Sequence, residues 1–135
     1  MNNKTFGDIG EELAARYLAG RRWHILARNY LVRGGELDIV GYRFGVLAFF
    51  EVKTRSSDSY GAPADAVDGE KLRRLEKAAR AFRAAHESGG KVPVFYGKRK
   101  IMRRVRERRV DVIEVYLTRD LQLKEINHVR KAEIL

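Results

Sequence analysis

Gly35-Glu36-Leu37-Asp38-Ile39-Val40 and, a few residues on, Val46-Leu47-Ala48-Phe49-Phe50-Glu51-Val52-Lys53 decide how this chain is read. Val46 to Phe50 is apolar at every position, so both faces of an extended strand would be covered. That is a central strand, not an edge. Glu51 and Lys53 continue it directly, and Asp38 lies in the strand before it. Three charges therefore sit in or beside a core sheet, where an unpaired charge is costly. Side chains alternate along a strand, so Glu51 and Lys53 share one face and Val52 takes the other.

The connection between the two strands reads as a tight turn, either Arg43-Phe44 or Tyr42 to Gly45. Either choice pairs Tyr42 with Gly45, sets Asp38 opposite Phe49 and Glu36 opposite Glu51, and makes Glu51 the diagonal neighbour of Asp38. Carboxylates facing one another repel, and a divalent cation resolves the repulsion. Mg²⁺ and Mn²⁺ favour carboxylate, carbonyl and water oxygens. Asp38, Glu51 and the Val52 carbonyl form a sensible ligand set. The plainer alternative is a salt bridge from Asp38 or Glu51 to Lys53.

Outward from this hairpin, Phe6, Ile9, Leu13 and Tyr17 recur at helical spacing, which predicts a helix over 6–20. On it Glu11 neighbours Gly7, Ala14, Ala15 and Leu18, a small apolar face that looks inward. Glu12 has Arg16 one turn on and reads as a solvated ion pair. Glu11 is thus the third candidate metal-binding carboxylate, beside Asp38 and Glu51. Residues 23–32 read as a strand that Gly34-Gly35 breaks.

Residues 55–67 read as a Ser-rich loop, with Asp68 as the N-cap of a second helix. Leu72, Leu75, Ala79 and Phe82 form that helix's buried stripe, and Gly89-Gly90 ends it. Arg73, Lys77 and Arg80 make a basic stripe on its other side. Lys71 lies in the first turn, where a cation opposes the helix dipole, so a phosphate is its natural partner. Strands follow over 92–96 and 110–117, with a less distinct one over 121–126. The order of elements predicts one α/β domain over 1–135, a central mixed β-sheet flanked by α-helices.

The formal net charge is +10 in 135 residues. Eight bases and one acid between Lys98 and Arg109 supply +7 of it, and the stretch reads as a mobile, backbone-binding arm. The charge favours nucleic acid over an acidic protein or a lipid surface. No cysteine is present, which excludes disulfides and thiolate metal sites and fits a reducing cytoplasm. Met1-Asn2-Asn3-Lys4 leads into no apolar signal core, and no apolar run is long enough for a bilayer. A soluble cytoplasmic protein with no membrane contact is expected. His24, His86 and His128 show no ligand spacing and read as structural.

Gly10-Glu11, Ala14, Asn29, Gly35-Glu36-Leu37-Asp38, Phe50-Glu51-Val52-Lys53-Thr54-Arg55, Gly61, Lys71, Arg109-Val110-Asp111-Val112-Ile113 and Ile126-Asn127-His128 together resemble the bacterial YraN family. The likeness spans nearly the whole chain. The basic stretch 93–108 departs from the family pattern, which passes from helix to the Asp111 strand more directly. That family looks like a branch of the restriction-endonuclease-like fold, close to archaeal Holliday-junction resolvases.

The resemblance implies Glu11, Asp38, Glu51 and Lys53 as a catalytic set acting on phosphodiesters, with Mg²⁺ or Mn²⁺ held by Asp38, Glu51 and Glu11. Arg55, Lys71, Arg103, Arg104 and Arg106 form the expected nucleic-acid footprint, continuous with the site. DNA, branched substrates included, is the expected ligand, and a homodimer follows by analogy. The competing readings are a non-catalytic nucleic-acid-binding module and a protein that docks through its basic arm.

Overall fold

The computed structural model describes residues 3–59 and 69–133. Helix α1 (Asn3–Gly20) is followed by strands β1 (His24–Val32), β2 (Gly35–Arg43) and β3 (Val46–Ser56), with a short 3-10 turn at Ser57–Ser59. Helix α2 (Gly69–His86) precedes β4 (Lys91–Tyr96), β5 (Arg99–Arg104), β6 (Glu107–Leu117) and β7 (Leu123–Glu133). The Asp68 cap, Gly61 and the loop from 60 to 68 lie outside the described residues.

Five strands form one sheet in the order β1-β2-β3-β6-β7, and β4-β5 form a separate ribbon. Strands β3 and β6 run parallel and every other neighbour pair is antiparallel, so the sheet is mixed. A parallel pair needs a crossover, and α2 and the ribbon lie within it. The centrality read from Val46–Phe50 holds: β3 is the middle strand, and Phe49 and Phe50 are fully buried on opposite faces. Phe49 packs with Val40, Leu47 and Val110 beneath Leu75, Ala78, Ala79 and Phe82 of α2. Phe50 packs with Ile39, Ala48, Ile113 and Val115 beneath Ala14, Ala15 and Leu18 of α1. Truncating either phenylalanine to Ala costs roughly 3–5 kcal/mol.

Two expectations are corrected. The β2–β3 ladder pairs Arg43 with Val46, Tyr42 with Leu47 and Ile39 with Phe50, two residues away from the predicted pairing. The turn is Phe44-Gly45, with φ of 47° and 85°. Positive φ at both central residues matches the twist of the strands, and Gly45 takes the second such position at little cost. The shift is even, so within the paired stretch from Ile39 to Arg43 no side chain changes face.

The second correction concerns the basic stretch. Lys98 to Arg109 is no loose arm. Tyr96 pairs with Arg99 and Lys91 with Arg104, so most of it is one side of an ordered hairpin. Val92, Val94 and Val105 anchor that hairpin in the α2-side core. The late strand begins at Leu123 rather than Leu121 and runs to Glu133.

Candidate functional site

Two close backbone approaches position the central acids. A Cβ on Gly10 would lie 1.9 Å from the Thr54 Oγ1, so the bare glycine lets α1 press onto β3 just past Lys53. A Cβ on Gly35 would lie 2.6 Å from the Arg74 carbonyl oxygen, so α2 presses onto the start of β2 in the same way. One contact brings Glu11 toward the strand ends. The other brings Lys71, one turn before Arg74.

The β1–β2 ladder pairs Arg28 with Ile39 and Tyr30 with Leu37, passing over Asn29 and Asp38 between them. Asn29 has φ 51°. Leu37 joins the α2-side core and Ile39 the α1-side core, although residues two apart normally share a face. The alternation therefore breaks at Asp38. There β2 and β3 cease to pair by backbone. The Asp38 Oδ2 instead accepts the Val52 N–H at 2.7 Å.

A cavity of about 190 Å³ opens at this splay, and Asp38, Glu51, Glu36 and Lys71 line it with Leu37, Phe50, Val52 and Leu75. Burial pushes the Asp38 carboxyl up to about 6. The Val52 N–H opposes that shift, and the charges of Glu11 and Glu51 add to it. Glu51 is 4% exposed, and its Oε2 has no hydrogen-bond partner among the described residues. Its Oε1 meets the Lys71 ammonium in an ion pair. Glu51 raises the Lys71 pKa in turn, with Asp38 and Glu36 adding to the effect. Lys71, expected to meet a phosphate, is thus the counter-ion of the buried acids.

Glu11 is half-buried and does not line the cavity. Burial raises its pKa, Asp8 adds to the shift and Arg28 opposes it. Glu12 is exposed and pairs with Arg16 at 3.2 Å and Arg28 at 2.9 Å. Of the two, Glu11 is the less exposed, and its charge couples to Asp38. Lys53 is half-buried, two residues beyond Glu51 on β3, and is not among the cavity-lining residues. Arg55 is turned onto the buried Glu114 of β6, with Nε 3.4 Å from Oε2. Among the described residues no three His, Asp or Glu side chains converge into a formed cation cage. Asp38 and Glu51 make two, and Glu11 is the nearest addition by charge coupling.

The expected continuity of basic surface and acidic site is not what the fold gives. Arg103 lies beside Tyr42 and Phe44, and the Arg106 side chain packs over Gly45. That is the turn end of the β2–β3 hairpin, six residues along β2 from Asp38, or about 20 Å at strand rise. Arg109 is not a surface base at all. It is 4% exposed and donates from Nε to the Asp111 Oδ1 at 2.9 Å.

Sequence reasoning missed the Lys71–Glu51 pair and gave Asn29 no role. A first-turn lysine does not announce its tertiary partner, and Asn is merely the commonest non-glycine residue at positive φ.

A model of one family matches residues 10–115, from the middle of α1 to near the end of β6. The chain belongs to the uncharacterised protein family UPF0102. The YraN likeness read from the motifs is this membership. A UPF0102 protein of Caldanaerobacter subterraneus subsp. tengcongensis is 34% identical over 133 residues, covering 98% of this chain and 97% of that one. One from Alkaliphilus metalliredigens is 32% identical over 126 residues, 93% of this chain and 97% of its own. A Solibacter usitatus member is 53% identical over 81 residues, 58% of this chain and 61% of its own. UPF0102 proteins thus match both over nearly the full length and, at higher identity, over a shorter segment. No helix among the described residues of this member is long and apolar enough to cross a membrane.

Proposed function

We propose that this UPF0102 member is a metal-dependent nuclease of restriction-endonuclease-like fold that hydrolyses phosphodiesters in DNA. The observation that carries the reading is Glu51: a carboxylate buried to 4% exposure that, among the described residues, is met by one half-exposed lysine at Oε1 and by no donor at Oε2, beside a second buried carboxylate. A group so placed costs several kcal/mol unless positive charge meets it. A half-exposed lysine meets it here, and a cation with substrate would meet it better.

The donor set suits Mg²⁺ or Mn²⁺. Asp38 has one oxygen tied to the Val52 N–H and one left over, and Glu51 offers Oε2, with Oε1 held by the Lys71 ammonium. The Val52 carbonyl and Glu11, through water, would complete the set. Magnesium needs few protein ligands and keeps several waters, so two carboxylates suffice. When bound, such an ion lowers the pKa of a water and offsets charge on the scissile phosphate.

The chain's own residues do the rest. Lys53 orients the attacking water or balances charge on the phosphate. Lys71, released from Glu51, turns to the backbone of the substrate. The Val52 N–H holds Asp38 in place, so the acids are set before substrate arrives. The mixed sheet with one helix on each face agrees with the proposed fold, and a homodimer would present two such cavities to two strands.

The test is a cleavage panel of branched, flapped, single-stranded and duplex DNA, with RNA counterparts, in Mg²⁺ and Mn²⁺. Cleavage that Asp38→Asn and Glu51→Gln abolish is the expected result. Binding without cleavage under every metal would replace this reading with a non-catalytic module.

A further inference from the structure

We propose that the cleft between the end of α1, the β2–β3 turn and the β4–β5 hairpin binds unpaired nucleotides of a single-stranded nucleic acid. This goes beyond the nuclease reading, because the cleft residues Tyr42 and Phe44 lie about 13 and 20 Å along the hairpin from Asp38 and the cleft shares no residue with the acidic cavity.

The cleft encloses about 570 Å³, within the range of small-ligand sites. Arg22, His24, Phe44, Tyr96 and Arg103 line it over a floor that includes Trp23 and Tyr42, and no acidic side chain is among them. Such a lining, in a protein of net charge +10, selects a polyanion.

The aromatic faces narrow the choice. Phe44 is 76% exposed and Tyr96 38%. Tyr96 is held by its neighbours: His24 meets its ring edge-on at 4.8 Å, and the Arg103 guanidinium lies 5.3 Å from its centroid while Nε donates to its hydroxyl. Arg43 spans the Trp23 and Phe44 rings. Fixed aromatic faces interleaved with arginines stack bases and track phosphates, and only an unpaired base offers its face. A duplex offers its backbone and groove edges, which need no such cleft.

Backbone conformation supplies an independent sign. Four non-glycine residues among those described have positive φ, and two of them, Arg22 (70°) and Phe44 (47°), line this cleft. Arg22 occupies the left-handed position that closes α1, where Trp23 N donates to the Leu18 carbonyl and Arg22 N to that of Ala19. Glycine is the easy residue at such a position. Arginine and phenylalanine there cost backbone energy while placing a cation and a ring at the mouth of the cleft.

The experiment is fluorescence anisotropy with a labelled oligothymidylate and a duplex of equal length, both in EDTA so that no metal-dependent step intervenes. The intact chain should bind the single strand more tightly. Tyr96→Ala and Phe44→Gly should each weaken that binding roughly tenfold, the loss of one stacked base, and Asp38→Asn should not weaken it. Phe44→Gly and Arg22→Gly relieve backbone strain, so their melting temperatures should hold or rise while affinity falls. That combination separates a lost contact from a lost fold.

Equal affinity for duplex and single strand, or binding indifferent to Phe44→Gly and Tyr96→Ala, overturns the proposal. Because no metal is present, this binding assay reads the cleft apart from the acidic site: failure of the nuclease reading shows in the Mg²⁺ and Mn²⁺ cleavage panel, and failure of this proposal shows in single-strand binding.

Discussion

Glu51 on β3 and Asp111 on β6 are buried carboxylates on adjacent parallel strands, exposed 4% and 0%. Their surroundings differ. Asp111 faces the α1 side and receives Arg109 Nε at 2.9 Å and His128 Nε2 at 2.5 Å, while the Arg109 Nη1 reaches on to Glu107. Every partner comes from β6 itself or from β7, one strand away. Glu51 faces the cavity, and among the described residues its oxygens find only a lysine that is itself 53% exposed. The first acid is satisfied by the sheet, and the second is left short of partners at an opening. A buried charge that serves the fold is closed off by its neighbours, whereas one that serves a ligand keeps acceptor capacity free.

The largest expected effect tests the closed side. Asp111→Ala leaves the Arg109 guanidinium buried without its carboxylate, which should destabilise the protein by on the order of 3–5 kcal/mol in urea unfolding. Glu51→Gln frees Lys71 into solvent and removes a buried charge, so it should leave stability unchanged or slightly raised while ending cleavage. If Glu51→Gln unfolds the protein as Asp111→Ala does, the two acids are alike and the site reading loses its basis.

Next in size is the pH response of Asp38. Its pKa is raised in the folded chain to about 6, chiefly by burial, against 3.8 for the free side chain. The folded state therefore holds a proton that the unfolded state has lost between about pH 4 and 6. Stability in EDTA should fall as pH rises through that window, by on the order of 3 kcal/mol from this group. Asp38→Asn should flatten the slope and give the more stable protein above pH 6. Mn²⁺ needs the ionised form, so its affinity should climb with pH and level off above about 6. A wild-type and Asp38→Asn pair with superimposable pH–stability curves would refute the burial argument.

Much of this contrast was readable before any coordinates. Glu51 and Lys53 announce themselves because they follow five apolar residues. Glu11 is told from Glu12 by the small side chains one turn away. The hairpin pairing was not readable, because the turn is chosen by which residues tolerate positive φ. Phe44 at 47° is a choice that composition does not favour. The β4–β5 hairpin was hidden for another reason. Arg99-Lys100-Ile101-Met102-Arg103-Arg104 reads as a charge run, and its strand character comes from pairing with Val92 and Val94 across the ribbon. Arg109 sits in that same run of bases, so only the fold distinguishes the buried arginine from the exposed ones.

A smaller effect separates Lys71 from the metal it is proposed to give way to. Lys71→Ala leaves the buried Glu51 carboxylate without its cation, so stability in EDTA should fall by on the order of 2 kcal/mol, with proton uptake by Glu51 limiting the loss. Mn²⁺ should bind a few-fold more tightly, because the ammonium no longer competes for Glu51, while cleavage slows for want of a phosphate contact. Titration calorimetry beside the cleavage assay reads both. Weaker Mn²⁺ binding in Lys71→Ala would mean that Lys71 helps build the site rather than blocking it.

The smallest effect tests the phase of α1. Glu11 and Glu12 are adjacent and chemically identical, yet Glu11 adds to the electrostatic load on Asp38 while Glu12 is held outside by Arg16 and Arg28. Glu11→Gln removes one of the charges that disfavour ionised Asp38, so the midpoint of the Asp38-linked stability curve should move to lower pH. It should also weaken Mn²⁺ binding modestly, through the loss of a water-mediated carboxylate. Glu12→Gln should move neither, since its neighbours are solvated arginines and its charge does not reach the cavity. Measuring the Asp38 titration by carbon-detected NMR in both variants isolates this coupling from any change in folding. An equal shift from Glu12→Gln would show that the helix presents either acid to the strand ends, and the distinction drawn from Ala14, Ala15 and Leu18 would fall with it.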